Sequence, residues 1–97
     1  MLVYFLETLE DESDKDYIIW LYNEFERLMY STAFKYTTIP QIAEDIVQDS
    51  VVNLIRKVAT IRAMKRQVLA AYIISTVRNT SINRLKAIEY EREHVVE

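Results

Sequence analysis

Apolar and small residues recur at three- and four-residue steps through Ile18, Leu21, Tyr22, Phe25, Leu28, Met29, Thr32 and Ala33. That spacing lines them along one stripe of an α-helix. Ser13-Asp-Lys-Asp16 reads as the capping box that starts this helix, and Tyr36-Thr37-Thr38 lies near its end. Pro40 stands where the first turn of a second helix tolerates a missing N–H. The second helix is expected to run to Ile61, with Ala43, Ile46, Val47, Val51, Leu54 and Val58 inward. Its opposite side gathers Asp45, Gln48, Asp49, Val52, Asn53 and Arg56. A basic connector, Arg62 to Gln67, leads to a third helix that buries Ala70, Ile73, Ile74, Val77, Ser81 and Ile88. The expected fold is all-α, a compact three- to four-helix bundle over residues 13–92. Residues 1–12 form an N-terminal segment or a short helix packed on it. The charged end frays, with 93–97 as a tail.

Composition narrows the chemistry. The chain has 97 residues, no glycine, one proline and no cysteine, enough for one small domain. Phosphate-cradling loops and dinucleotide fingerprints need glycine for positive φ or close backbone approach, so both are excluded. Without cysteine there is no disulfide framework or thiolate metal site. The apolar run Leu2–Leu6 lacks a preceding basic stretch and is followed by Glu7, Glu10, Asp11 and Glu12. It is too short for a signal peptide or a membrane span. A soluble, cytoplasmic protein without a membrane partner is expected.

The net charge of −3 conceals a division. Residues 1–55 carry eleven acids and three bases, whereas residues 56–97 carry nine bases and four acids. No acid lies between Asp49 and Glu89, while Arg56, Lys57, Arg62, Lys65, Arg66, Arg78, Arg84 and Lys86 all do. Such an asymmetry suits a polyanion, and it equally suits pairing with the acidic half.

Enzymatic groups are sparse. Asp45 and Asp49 stand one helical turn apart, but a carboxylate-bridged metal site in a bundle normally adds further inward acids and a histidine. The one histidine, His94, lies in the charged tail. Arg78-Asn79 resembles the start of the Arg-Asn-x4-His arrangement of HEPN-type ribonucleases, yet Arg84 stands where the histidine belongs. Without an imidazole to move a proton there, that reading fails. No enzyme, cofactor or metal is expected. The outward stripe of the third helix, Tyr72, Thr76, Asn79, Asn83 and Lys86, offers a stacking aromatic, amides for base edges and a lysine for phosphate. Asparagine, threonine and valine are mediocre helix formers, so Thr76 to Ser81 is an uneconomical choice for a merely solvated face.

Three segments carry a resemblance. Ala43-Glu-Asp-Ile-Val-Gln-Asp49, continuing through Val51 and Leu54 to Arg56, resembles region 2.2 of bacterial σ70-family factors, closest to the extracytoplasmic-function (ECF) group. Ala71-Tyr-Ile-Ile-Ser-Thr-Val-Arg-Asn-Thr80 resembles regions 2.3 and 2.4, and Leu21-Tyr-Asn-Glu-Phe-Glu-Arg-Leu-Met-Tyr30 resembles region 2.1. The match covers about residues 17–92 in the family's order.

The resemblance implies a transcription initiation factor domain with two partners. Region 2.2 docks on the clamp helices of the RNA polymerase β′ subunit, which assigns docking to Asp45, Gln48, Asp49, Val52, Asn53 and Arg56. Regions 2.3 and 2.4 open the promoter −10 element and capture a flipped base of the single-stranded non-template strand. This assigns base reading to Asn79, with Tyr72 where tryptophan is usual, and with Thr76, Asn83 and Lys86 along the same stripe. Arg62, Lys65 and Arg66 fall on the loop that lines the base pocket, with Ile61 near its entrance. That connector lacks the glycine, proline and phenylalanine common in the family. The −35-reading region 4 is not in the sequence, and an anti-σ factor is a further partner the family allows. The alternative is a helical interaction module without a DNA role, either a decayed σ-like domain or a self-associating bundle.

Overall fold

The computed structural model describes residues 2–94, and the backbone over them is built from helices: α1 (Leu2–Glu7), α2 (Glu12–Ala33), α3 (Pro40–Arg56), α4 (Val58–Arg62) and α5 (Arg66–Glu93). The all-α expectation holds. The short N-terminal helix is present as α1, whose Phe5 and Leu6, with Leu9 beyond it, pack against the core. The expected tail remains helical through Glu93, and positions 95–97 lie outside the described residues.

Local chemistry sets the helix ends, not always where the pattern suggests. α2 begins two residues earlier than the Ser13 box. Asp11 is its N-cap, and the Asp11 carboxylate accepts from the Ser13 amide at 2.7 Å. Asp11 wins because its carboxylate satisfies an orphan amide while Glu12 and Asp14 complement the positive helix end. The helix stops at Ala33, earlier than Tyr36-Thr37-Thr38, in a turn closed by Phe34, Lys35 and Tyr36 amides. Pro40 occupies the start of α3 as expected, with Ile39 extended before it.

The expected second helix breaks at Lys57, whose φ of −111° and ψ of 19° leave the α region. The chain restarts as α4, and this reorientation brings Val58 and Ile61 into the core alongside Leu54 and Ile55. The Tyr17 hydroxyl ties the short helix down by donating to the Ile61 carbonyl at 3.2 Å.

α2, α3 and α5 pack pairwise around one core. α2 contributes Ile18, Leu21, Phe25 and Met29; α3 contributes Ala43, Ile46, Val47, Val51 and Leu54; α5 contributes Leu69, Ile73 and Val77. Two serines are fully buried among these residues. Ser50 and Ser81 each donate to the carbonyl one turn back, Ile46 and Val77, at 2.7 Å. Their hydroxyls are thereby satisfied without a partner helix.

The buried face of α5 differs from the expected one. Leu69, Ile73, Val77, Thr80 and Ser81 face inward, while Ile74 is exposed and Ala70 and Ile88 are half-buried. Apolar residues are scattered around this helix, with Val68, Ile74 and Ile82 all solvent-exposed. Periodicity therefore does not single out a face; packing against α2 and α3 does. At 1.5 Å per residue the 28-residue α5 spans about 42 Å. It accounts for most of the 49 Å long axis, and beyond Ser81 it buries no residue.

Candidate functional site

The outer row of α3 forms one wall of an open groove. Asp49, Val52, Asn53 and Arg56 face Thr80, Asn83, Arg84 and Ala87 of α5 across it, and Phe5 of α1 closes one side. Val52 is half-buried among these polar groups. Asp49 accepts from Arg84 at 2.8 Å, bridging the two helices. The Arg84 Nε is buried and makes no hydrogen bond among the described residues. Further along α3, Asp45 accepts from Gln41 at 3.4 Å, and Gln48 donates to Glu44 at 3.2 Å. Each of these exposed i, i+4 contacts adds only about 0.2–0.5 kcal/mol to the helix. The six expected docking residues thus share one side of α3, bordered by α1 and α5.

The stripe on α5 divides. Tyr72 is half-buried and packs against the core. Thr76 is half-buried too, its hydroxyl donating to the Tyr72 carbonyl at 2.9 Å. Asn79 and Lys86 are exposed. Asn83 is exposed but lines the groove with Asp49 and Arg56, so it joins the α3 row rather than standing with Asn79 on a separate face. Ile61 is the clear correction. It is 0% exposed in the core and presents nothing to a nucleic acid.

Two of the connector's three cations are already engaged. The Arg62 Nη1 donates to Ser13 at 2.9 Å and to Asp14 at 2.6 Å, with its guanidinium 5.5 Å from the Tyr17 ring centre. Arg66 pairs with Glu24 and lies 5.1 Å from the Phe25 ring centre. Lys65 is exposed at the N-terminus of α5, whose first turn has neither an acid nor a side-chain cap. The acidic half of the sequence thus answers the basic half inside the molecule. These pairs are solvent-accessible, and such pairs contribute only about 0–1 kcal/mol each.

The same contacts expose aromatics that the sequence pattern passes over. Trp20 is 43% exposed. Its ring centre lies 5.6 Å from that of Tyr17 and 6.1 Å from that of Phe25. The arginines that border this cluster come from α4 and α5, so no local spacing announces it. Burial raises the Tyr17 hydroxyl above its ordinary pKa, against the pull of Arg62.

No cluster of three metal-ligating side chains occurs among the described residues. His94 caps α5, stacked on Tyr90 with ring centres 3.8 Å apart. No helix among the described residues is long and apolar enough to cross a membrane.

A family model described as Sigma-70 region 2 matches residues 21–89, from the middle of α2 almost to the end of α5. The chain belongs to the Sigma-70 region 2 family. That family is one of transcription-initiation factors, whose region 2 generally binds RNA polymerase core and promoter DNA, and it is not a family of enzymes. No curated protein and no solved structure matches the chain.

Proposed function

We propose that this is a region 2 domain of the extracytoplasmic-function type, which docks through α3 on the β′ clamp helices and opens the promoter −10 element with α5. One observation carries the docking half: Asp45, Gln48, Asp49, Val52, Asn53 and Arg56 share one side of α3, with half-buried Val52 set among polar groups. A partly apolar centre with a polar rim is the anatomy of a partner surface. For the DNA half, exposed Asn79 offers an amide to a base edge, and Lys86 and Lys65 offer charge to phosphates. Tyr72 and Thr76 support the helix surface from a half-buried position. Arg62 and Arg66 contribute once their carboxylate partners are exchanged.

A second reading has one specific observation in its favour. Because Arg62 and Arg66 are paired with Asp14 and Glu24, the domain suits a module that binds polymerase without touching DNA. Two assays separate the readings: capture of the domain by immobilised clamp helices, and anisotropy of a labelled single-stranded −10 oligonucleotide. The first reading expects both to bind; docking without DNA binding supports the second. Gln48→Ala combined with Asp49→Ala is expected to weaken capture by at least tenfold, as a loss of about 1.4 kcal/mol or more. Unchanged capture removes α3 from the docking role.

A further inference from the structure

We propose that Trp20 and Tyr17 form a base-stacking platform for single-stranded DNA, flanked by arginines that exchange their own carboxylates for phosphates. The proposal rests on the DNA-binding reading above and adds a surface that precedes the matched stretch of the family, since Tyr17 and Trp20 lie before residue 21.

Trp20 leaves 43% of its surface in water although it sits on the helix that supplies Ile18 and Leu21 to the core. Its ring is oriented by neighbours, 5.6 Å from Tyr17 and edge-on to Phe25. With 43% of its surface left in water, a tryptophan oriented in this way offers area on which an unstacked base can stack. Single-stranded nucleic acids are bound by such rings when cations beside them follow the backbone. Here the cations are Arg62, over Tyr17, and Arg66, over Phe25.

Both guanidiniums hold a carboxylate, Asp14 and Glu24, which lie on the same helix as the rings. Each pair is partly solvent-exposed, and Arg66 is 61% exposed. Pairs of this kind add little net stability, so a phosphate can displace the carboxylate. The carboxylates act as built-in competitors. They suppress indiscriminate binding to polyanions and yield when a base is stacked and the phosphate is held close.

The protein contains a single tryptophan, so its emission reports this face alone. The full chain is titrated with a short oligothymidylate, and emission is followed alongside the anisotropy of the same oligonucleotide carrying a label. Quenching is expected to track binding. Trp20→Ala is expected to weaken affinity by about fivefold or more, with Trp20→Phe retaining most of it. Glu24→Gln is expected to tighten binding roughly two- to fivefold by removing the competitor. Binding without quenching, or unchanged affinity in Trp20→Ala, overturns the platform and leaves the DNA-binding reading standing. Weaker or unchanged binding in Glu24→Gln overturns the exchange. If neither the wild type nor Glu24→Gln binds the oligonucleotide, both readings fall.

Discussion

Replacing Ile61 by alanine tests whether this residue is core or nucleic-acid contact. The side chain is completely buried beneath α2 and α3, and deleting it removes apolar surface and leaves a void. Substitutions of this kind cost about 2–5 kcal/mol, depending on how far the surroundings collapse. α4 is only five residues long and can settle into part of the void, which favours the lower end, about 2–3 kcal/mol. For a domain of this size each kcal/mol moves Tm by roughly 4–8 °C, so a fall of roughly 8–24 °C follows. Thermal melts by circular dichroism give that number. Oligonucleotide anisotropy, taken at a temperature where the variant is still folded, is expected to match the wild type. An unchanged Tm together with lost DNA binding would refute the burial argument and return Ile61 to the mouth of a base pocket.

Asn79→Ala is expected to change stability by less than about 0.5 kcal/mol, since the residue is exposed. It should erase base preference, whereas Lys86→Ala should weaken all sequences evenly, and competition between oligonucleotides of different sequence reads the difference. Burial, with the nearby ionising groups Tyr30 and Glu26, pushes the Tyr22 hydroxyl up to about 12. Its folded pKa exceeds the unfolded value, so its contribution to stability is whole below about pH 10 and is lost as pH rises through 12. Tyr22→Phe should therefore show a shallower fall in urea midpoint over that window. Asp11 behaves oppositely: the Ser13 hydroxyl and amide hold its carboxyl below the ordinary value. The cap's contribution is present above the unfolded carboxyl pKa and fades as pH falls through the folded one. Acidification from about pH 5 to pH 3 should lower the urea midpoint more in the wild type than in Asp11→Asn.

The helices of this protein are legible in its sequence wherever a single stripe of apolar residues dominates. α2 and α3 are such cases: most of their expected inward residues from Ile18 to Leu54 are buried, although Tyr22 and Leu28 are only half-buried and Ser50 and Ile55 join the core unannounced. The polar row of α3 follows from the same wheel, because a helix with one clear apolar face defines its opposite. Local periodicity is less informative for α5, where Ile74 and Ile82 remain in solvent while Thr80 and Ser81 are buried. Only contact with α2 and α3 selects that face, and small hydroxyl residues can be selected because they satisfy themselves on the preceding turn. Tertiary structure likewise decides the break at Lys57: the apolar stripe continues through Val58 and Ile61 as if in one helix, but the two are buried from a separate short helix, α4. The sequence by itself determined the charge division between the two halves. The fold decided what that division does, by setting Arg62 on Asp14 and Arg66 on Glu24, residues more than forty positions apart. Electrostatic pairing acts over a few ångströms of space and is indifferent to distance along the chain. A basic run in the sequence is therefore a free surface only where folding leaves it without acids.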